Sequence, residues 1–159
     1  MALQKPIGTG KKEQIPLDSA AAHLLEECRM VLPGIQALFG FQLIAVFNEG
    51  FDEKLSGVGQ MVHLVAIILT TLSMALVMTP AALHRQAEPK EVSERFLWLA
   101  SKMVLAGMVP LAVAVGLDSY VVASIVLQSE LLGIALGVVL MMVFAALWFV
   151  LPRRERRSR

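Results

Sequence analysis

Four long apolar blocks, separated by short charged segments, leave this chain few ways to fold. A bilayer core about 30 Å thick takes roughly 20 apolar helical residues to cross. Blocks of that size lie at 30–47, 61–83, 97–117 and 131–151. In a lipid environment every backbone polar group must be satisfied internally, so such blocks are read as helices. The expected fold is all-α: a four-transmembrane-helix bundle over 18–152, preceded by an arm and followed by a basic tail over 153–159. The arm, 1–17, holds Pro6, Gly8, Gly10 and Pro16 and reads as disordered, and no segment remains for a separate soluble domain. Composition agrees. Hydrophobic residues make up 57% of the 159 and charged residues 17%, against about 25% charged in soluble domains.

The charges orient the bundle. All but Lys54 of the 14 Lys and Arg residues fall in the arm and the approach to span one, in the loop and helix start between spans two and three, or in the tail. Basic residues stay on the cytoplasmic side of a membrane, which makes both termini cytoplasmic. The acidic 48–60 loop, with Glu49, Asp52 and Glu53, then faces out, as does the 118–130 connection. Trp98 and Trp148 fall at inner ends and Tyr120 near an outer end, the interfacial depths that amphipathic aromatics favour. The expected location is a bacterial plasma membrane.

Local signals refine the spans. Asp18 or Ser19 can cap a helix opening at Ala20. Pro33, Pro80 and Pro110 offer bends inside spans. One helix from Ser119 to Leu151 would be about 50 Å long and would sink Glu130 to mid-depth. The 118–130 stretch is therefore expected to be an outer turn or short helix, either separate or continuous with span four.

Polar residues recur on two helix faces. In span one, Arg29, Pro33, Gln36, Gly40, Leu43 and Phe47 follow spacings of four and three. In span two, His63, Ala66, Thr70, Ser73, Val77, Pro80 and His84 do the same. Gln36, Gln42, His63, Thr70 and Ser73 form the candidate intramembrane stripe. Such residues pack helices together, or line a pathway in an oligomeric channel or transporter. No ionisable residue is expected near mid-bilayer, the condition that proton pumps and voltage sensors require. A second group, Glu27, Arg29, His84 and Arg85, lies at the cytoplasmic ends of spans one and two. It can anchor topology through salt bridges or hold a lipid phosphate. Gly133 and Gly137, four apart, would let another helix approach span four closely.

Glu27-Cys28-Arg29, followed by Gly34-x-Gln36-x-Leu38-x-Gly40-Phe41, resembles the E-x-R and G-x-Q-x-L-x-G-F pattern of a bacterial membrane protein family of unknown function. Pro80-Ala81-Ala82-Leu83-His84-Arg85 and, more loosely, Leu147-Trp148-Phe149-Val150-Leu151-Pro152 extend the likeness over about 20–152. Met30-Val31-Leu32-Pro33 stands where that family is often more polar. The resemblance implies a compact four-helix membrane bundle and carries over no catalytic residue.

The chain holds no nucleophile elbow, P-loop, metal-ligand spacing or haem motif. Its single cysteine, Cys28, excludes an intrachain disulfide or a multi-cysteine metal site. A net charge of +1 gives no basic excess for nucleic acid. No enzyme activity, cofactor or metal is expected. The leading expectation is a multi-pass protein working through packing with itself or a membrane partner, in contact with membrane lipids. The alternative is a small oligomeric channel or transporter.

Overall fold

A computed structural model describes residues 15–157, apart from the side chain of Asp52. The arm expected over 1–17 falls outside the described residues up to residue 14, and Leu17 already opens the first helix. Six helices follow: α1 (Leu17–Val46), the single turn α2 (Phe51–Lys54), α3 (Gly57–Ala87), α4 (Glu94–Leu127), α5 (Glu130–Ala145) and α6 (Leu151–Arg157). A π-helical turn, Ala146–Val150, joins α5 to α6. α1, α3, α4 and the continuous α5–α6 rod are each long and apolar enough to cross a membrane.

Side chains punctuate the chain as their chemistry directs. The hydroxyls of Ser56, Ser93 and Ser129 accept from the backbone N–H groups of Gly59, Phe96 and Leu132, starting α3, α4 and α5. Such a cap contributes about 1 kcal/mol. Ser93 also gives its N–H and O–H to the Glu88 carboxylate, at 2.8 and 2.6 Å, closing the α3–α4 connection. These hydrogen bonds hold the exposed Glu88 carboxyl below the usual carboxylate range. Neither Asp18 nor Ser19 caps α1. Pro16 precedes it without a side-chain cap, and Asp18 sits in the first turn, where a negative charge suits the helix dipole.

α4 is the central helix. It packs on α3 over one side and α5 over another, while α1 lies mainly on α3 and lightly on α4. Ser73 donates to the Gly107 carbonyl at 2.8 Å, and ten residues back along α3 His63 meets Asp118, eleven forward along α4. The two helices are thus antiparallel. Apolar clusters fill the end of the bundle that holds the start of α1: Ala21, Phe96 and Ala100, then Cys28, Ile35 and Val77.

The connection expected over 118–130 is not one. α4 runs on to Leu127, and only Gln128, at φ 49°, turns the chain into α5. Val121 and Ala123 are buried in this last stretch, so packing holds it helical. At 34 residues α4 is about 51 Å long. The cost of sinking Glu130 argues against a single helix through 118–151, but it says nothing against lengthening span three.

Gly133 and Gly137 do make a close seam. A Cβ on Gly137 would fall 2.8 Å from the Gly116 carbonyl oxygen, and one on Gly133 would fall 3.0 Å from the Tyr120 carbonyl oxygen. Only glycine lets the α4 and α5 backbones come so near.

Candidate binding site at a buried polar junction

The inward residues of α1 are Ala21, Cys28, Ile35 and Gln42, seven apart and on one face. This corrects the expected stripe. Arg29, Pro33, Gln36, Leu43 and Phe47 are exposed, and Gly40 is half-buried. The stripe followed the polar residues of the span, whereas packing selects Ile35 and Cys28 to meet Val77, one residue of helical rotation away. Gln36 consequently stands apart from Gln42. On α3 the expected face is the observed one up to its last member: His63, Ala66, Thr70, Ser73, Val77 and Pro80 are buried and His84 is half-buried.

Gln42, His63 and Thr70 converge on Asp118 of α4. Gln42 Nε2 donates to Thr70 Oγ1 at 3.0 Å and to Asp118 Oδ2 at 2.6 Å. His63 Nε2 lies 2.9 Å from the backbone carbonyl of Gln42, and its Nδ1 lies 3.2 Å from Asp118 Oδ1. Thr70 Oγ1 donates to the carbonyl of Ala66, one turn back. Ser73 lies further along α3 and bonds to Gly107 instead. Asp118, half-buried, thus pairs with the buried His63 because α4 runs on past it, where the sequence reading puts an outer connection.

The partners fix the protons. A carbonyl only accepts, so His63 Nε2 carries hydrogen. A neutral imidazole then presents a bare Nδ1 lone pair to a carboxylate oxygen, which is repulsive. The contact is attractive only with one further proton, held as imidazolium beside carboxylate or as imidazole beside carboxylic acid. Thr70 has spent its hydrogen on Ala66 and can only accept from Gln42, which orients the Gln42 amide. Gln42 Oε1 is left buried, with no hydrogen-bond partner among the described residues. Asp118 Oδ1 likewise takes no hydrogen bond of good geometry there, only the ion-pair contact with His63.

Gln42, His63 and Asp118 border a cavity of about 380 Å³. Its walls are mostly apolar, with Leu38, Phe41, Phe51, Leu55, Val121 and Val122 among them. Phe51 sets its ring edgewise to His63, centroids 5.6 Å apart. Glu49 and Lys54, from the α1–α3 connection, add one charge of each sign. The arrangement can hold a proton and offer a buried acceptor to a mostly apolar molecule.

The other expected cluster is not brought together in this way. Glu27, Arg29 and Arg85 are exposed, and no hydrogen bond or ion pair joins them to each other or to His84 among the described residues. His84 is half-buried, with its ring 5.6 Å from that of Phe96.

Residues 11–152 match a family of unknown function, DUF6328. The chain belongs to that family. No curated protein and no solved structure matches it. Family membership therefore names no activity, and the junction has to be read from its own chemistry. Sequence reasoning paired His63 with Thr70 and Ser73 but missed Asp118. The available signal was that His63 and Asp118 both lie toward the same end of neighbouring antiparallel helices.

Proposed function

We propose that this is a multi-pass protein of the bacterial plasma membrane, with both termini cytoplasmic, that binds a small, mostly apolar molecule without transforming it. The observation that carries this reading is the Gln42–His63–Thr70–Asp118 junction beside an apolar cavity. The half-buried Asp118 carboxylate, set against His63 at the cavity wall, gives a ligand a polar anchor. Pockets for small molecules combine apolar walls with a few placed polar groups, and this cavity has that make-up.

Purified protein in lipid nanodiscs, titrated with short-chain alcohols, tests the reading. Saturable binding that is lost when Val121→Trp fills the cavity is expected. Binding no stronger than to empty nanodiscs would overturn it. Orientation is tested by cysteines at Ser56 and Ser158 with an impermeant thiol reagent on intact cells: Ser56→Cys reacts and Ser158→Cys does not. The reverse pattern would invert the topology.

A second reading, association with itself or a membrane partner, draws support from α5. Only Gly133 and Gly137 are buried along it, while Leu131, Ile134, Val138 and Met142 are exposed. Crosslinking that depends on these positions would favour it.

A further inference from the structure

We propose that the ligand is a lipophilic amine in its ammonium form, and that its binding releases the proton shared by His63 and Asp118. This rests on the reading of the cavity as a ligand site and adds the chemical class of the ligand and a linkage to protons.

The junction is short of donors. The two N–H bonds of the Gln42 amide, the Thr70 hydroxyl and His63 Nε2 are all directed to oxygens of the protein. Gln42 is 3% exposed, lines the cavity and keeps Oε1 unpartnered among the described residues. Asp118 lines the same cavity with a carboxylate whose balancing charge is a single proton. A primary ammonium brings three N–H donors and a positive charge. One N–H donates to Asp118 and another to the His63 Nδ1 left bare as its proton leaves for water, and a small shift of the Gln42 side chain, whose Oε1 is covered in this structure, opens it to the third. One cation replaces another, so the net charge of the site is unchanged.

Other head groups fit less well. A carboxylate would face the oxygens of Gln42 and Asp118 at the inner wall, and Glu49 offsets the Lys54 that could attract it. A quaternary ammonium has the charge but no N–H. An alcohol serves Gln42 and leaves the proton where it is. The apolar walls and the edge of Phe51 suit a short alkyl or aryl body.

The titratable groups around Asp118 are few. His63 faces it from α3; Glu49 and Lys54 line the cavity from the α1–α3 connection; α1 and α5 add no charged residue to the lining. Tyr120, on α4 itself, packs against Gly137 of α5. Protonation of the junction and binding of the ammonium compete, so affinity increases with pH as the pair loses its proton.

The test uses the full chain in phosphatidylcholine nanodiscs, with hexylammonium, hexanol, hexyltrimethylammonium and hexanoate as probes, followed by saturation-transfer NMR against empty nanodiscs. Hexylammonium is expected to bind at least tenfold more tightly than hexyltrimethylammonium, with affinity that rises with pH. His63→Gln should flatten the pH dependence of hexylammonium binding. Asp118→Asn should weaken binding at least tenfold. Circular dichroism checks folding, and if Asp118→Asn fails to fold, the probe series and His63→Gln decide. Hexanol binding as well as hexylammonium would leave the cavity reading intact and overturn the amine. Preference for hexanoate would overturn it in favour of an anion held by Lys54. Displacement of hexylammonium by sodium chloride, with no gain from a longer alkyl chain, would overturn it in favour of an inorganic cation. Absence of binding by every probe would sink this inference together with the reading beneath it.

Discussion

α4 joins its neighbours on two sides by opposite means, and the two joints sit only two residues apart along it. At Gly116 the backbone of α5 is close enough that a Cβ on Gly137 would meet the Gly116 carbonyl at 2.8 Å. At Asp118 the helix meets α1 and α3 through a carboxylate, an imidazole and an amide, beside an apolar cavity. Two residues on a helix are about 200° apart, so these are opposite faces. The first joint has no room and no polar side chain to spare. The second has both. Rigidity on one side allows a proton-bearing junction to be held open on the other.

Enlarging the glycine seam should give the largest effect. Gly137→Leu puts a side chain where only a hydrogen fits, and overpacking of this kind costs about 3 kcal/mol. Thermal unfolding in detergent should show the loss, with α5 freed from α4. An unchanged stability would mean that the seam is looser than the structure has it. Gln42→Leu attacks the other joint. It removes two hydrogen bonds and leaves the half-buried Asp118 Oδ2 without its donor, at a cost of about 2 kcal/mol. Crosslinks between cysteines on α4 and α5 should persist in this variant, and their loss would show that the two joints are coupled.

Gln36→Leu serves as the internal contrast. Gln36 is exposed on α1, and a change there should stay within about 0.5 kcal/mol in the same unfolding assay. A cost equal to that of Gln42→Leu would return Gln36 to the junction.

The smallest expected effect is local and depends on pH. The Glu88 carboxyl is held below its ordinary range by the hydrogen bonds from Ser93, so the folded connection favours the ionised form. Its contribution is present at pH values above the unfolded-state pKa and is lost as pH falls through the lowered folded-state one. Amide protection factors at Ser93 and Phe96 should fall on acidification, and Glu88→Gln should remove that dependence. Protection factors in the glycine seam should not respond.

The helices were legible in the sequence because hydrophobic length alone identifies them. The α3 face was legible too: His63, Ala66, Thr70 and Ser73 keep helical spacing and are small or polar among bulky neighbours. The α1 face was not, because Gln36 and Gln42 are the same residue type and lie on different sides; packing of Ile35 against Val77 decides between them. Asp118 was assigned to a loop because it ends an apolar block, and a carboxylate there is usually wet. Its pairing with His63, 55 positions earlier, depends on how α3 and α4 register, which no local pattern encodes.

The length of α4 beyond Asp118 has an electrical consequence. Nine further residues, up to Leu127, put the carboxylate about 14 Å from the end of its helix, and Val122, Val126 and Leu127 keep that stretch apolar. If that end marks the membrane boundary, a cation reaching the junction crosses up to about half of a 30 Å hydrocarbon layer. Moving one charge through the full layer at 100 mV is worth about 2.3 kcal/mol. When the ammonium displaces the His63 proton to the same side, no net charge moves and the potential leaves occupancy unchanged; when it binds a pair already free of its proton, a resting potential shifts occupancy by about 1 kcal/mol, roughly fivefold, so an energised cell fills this site differently only in that state.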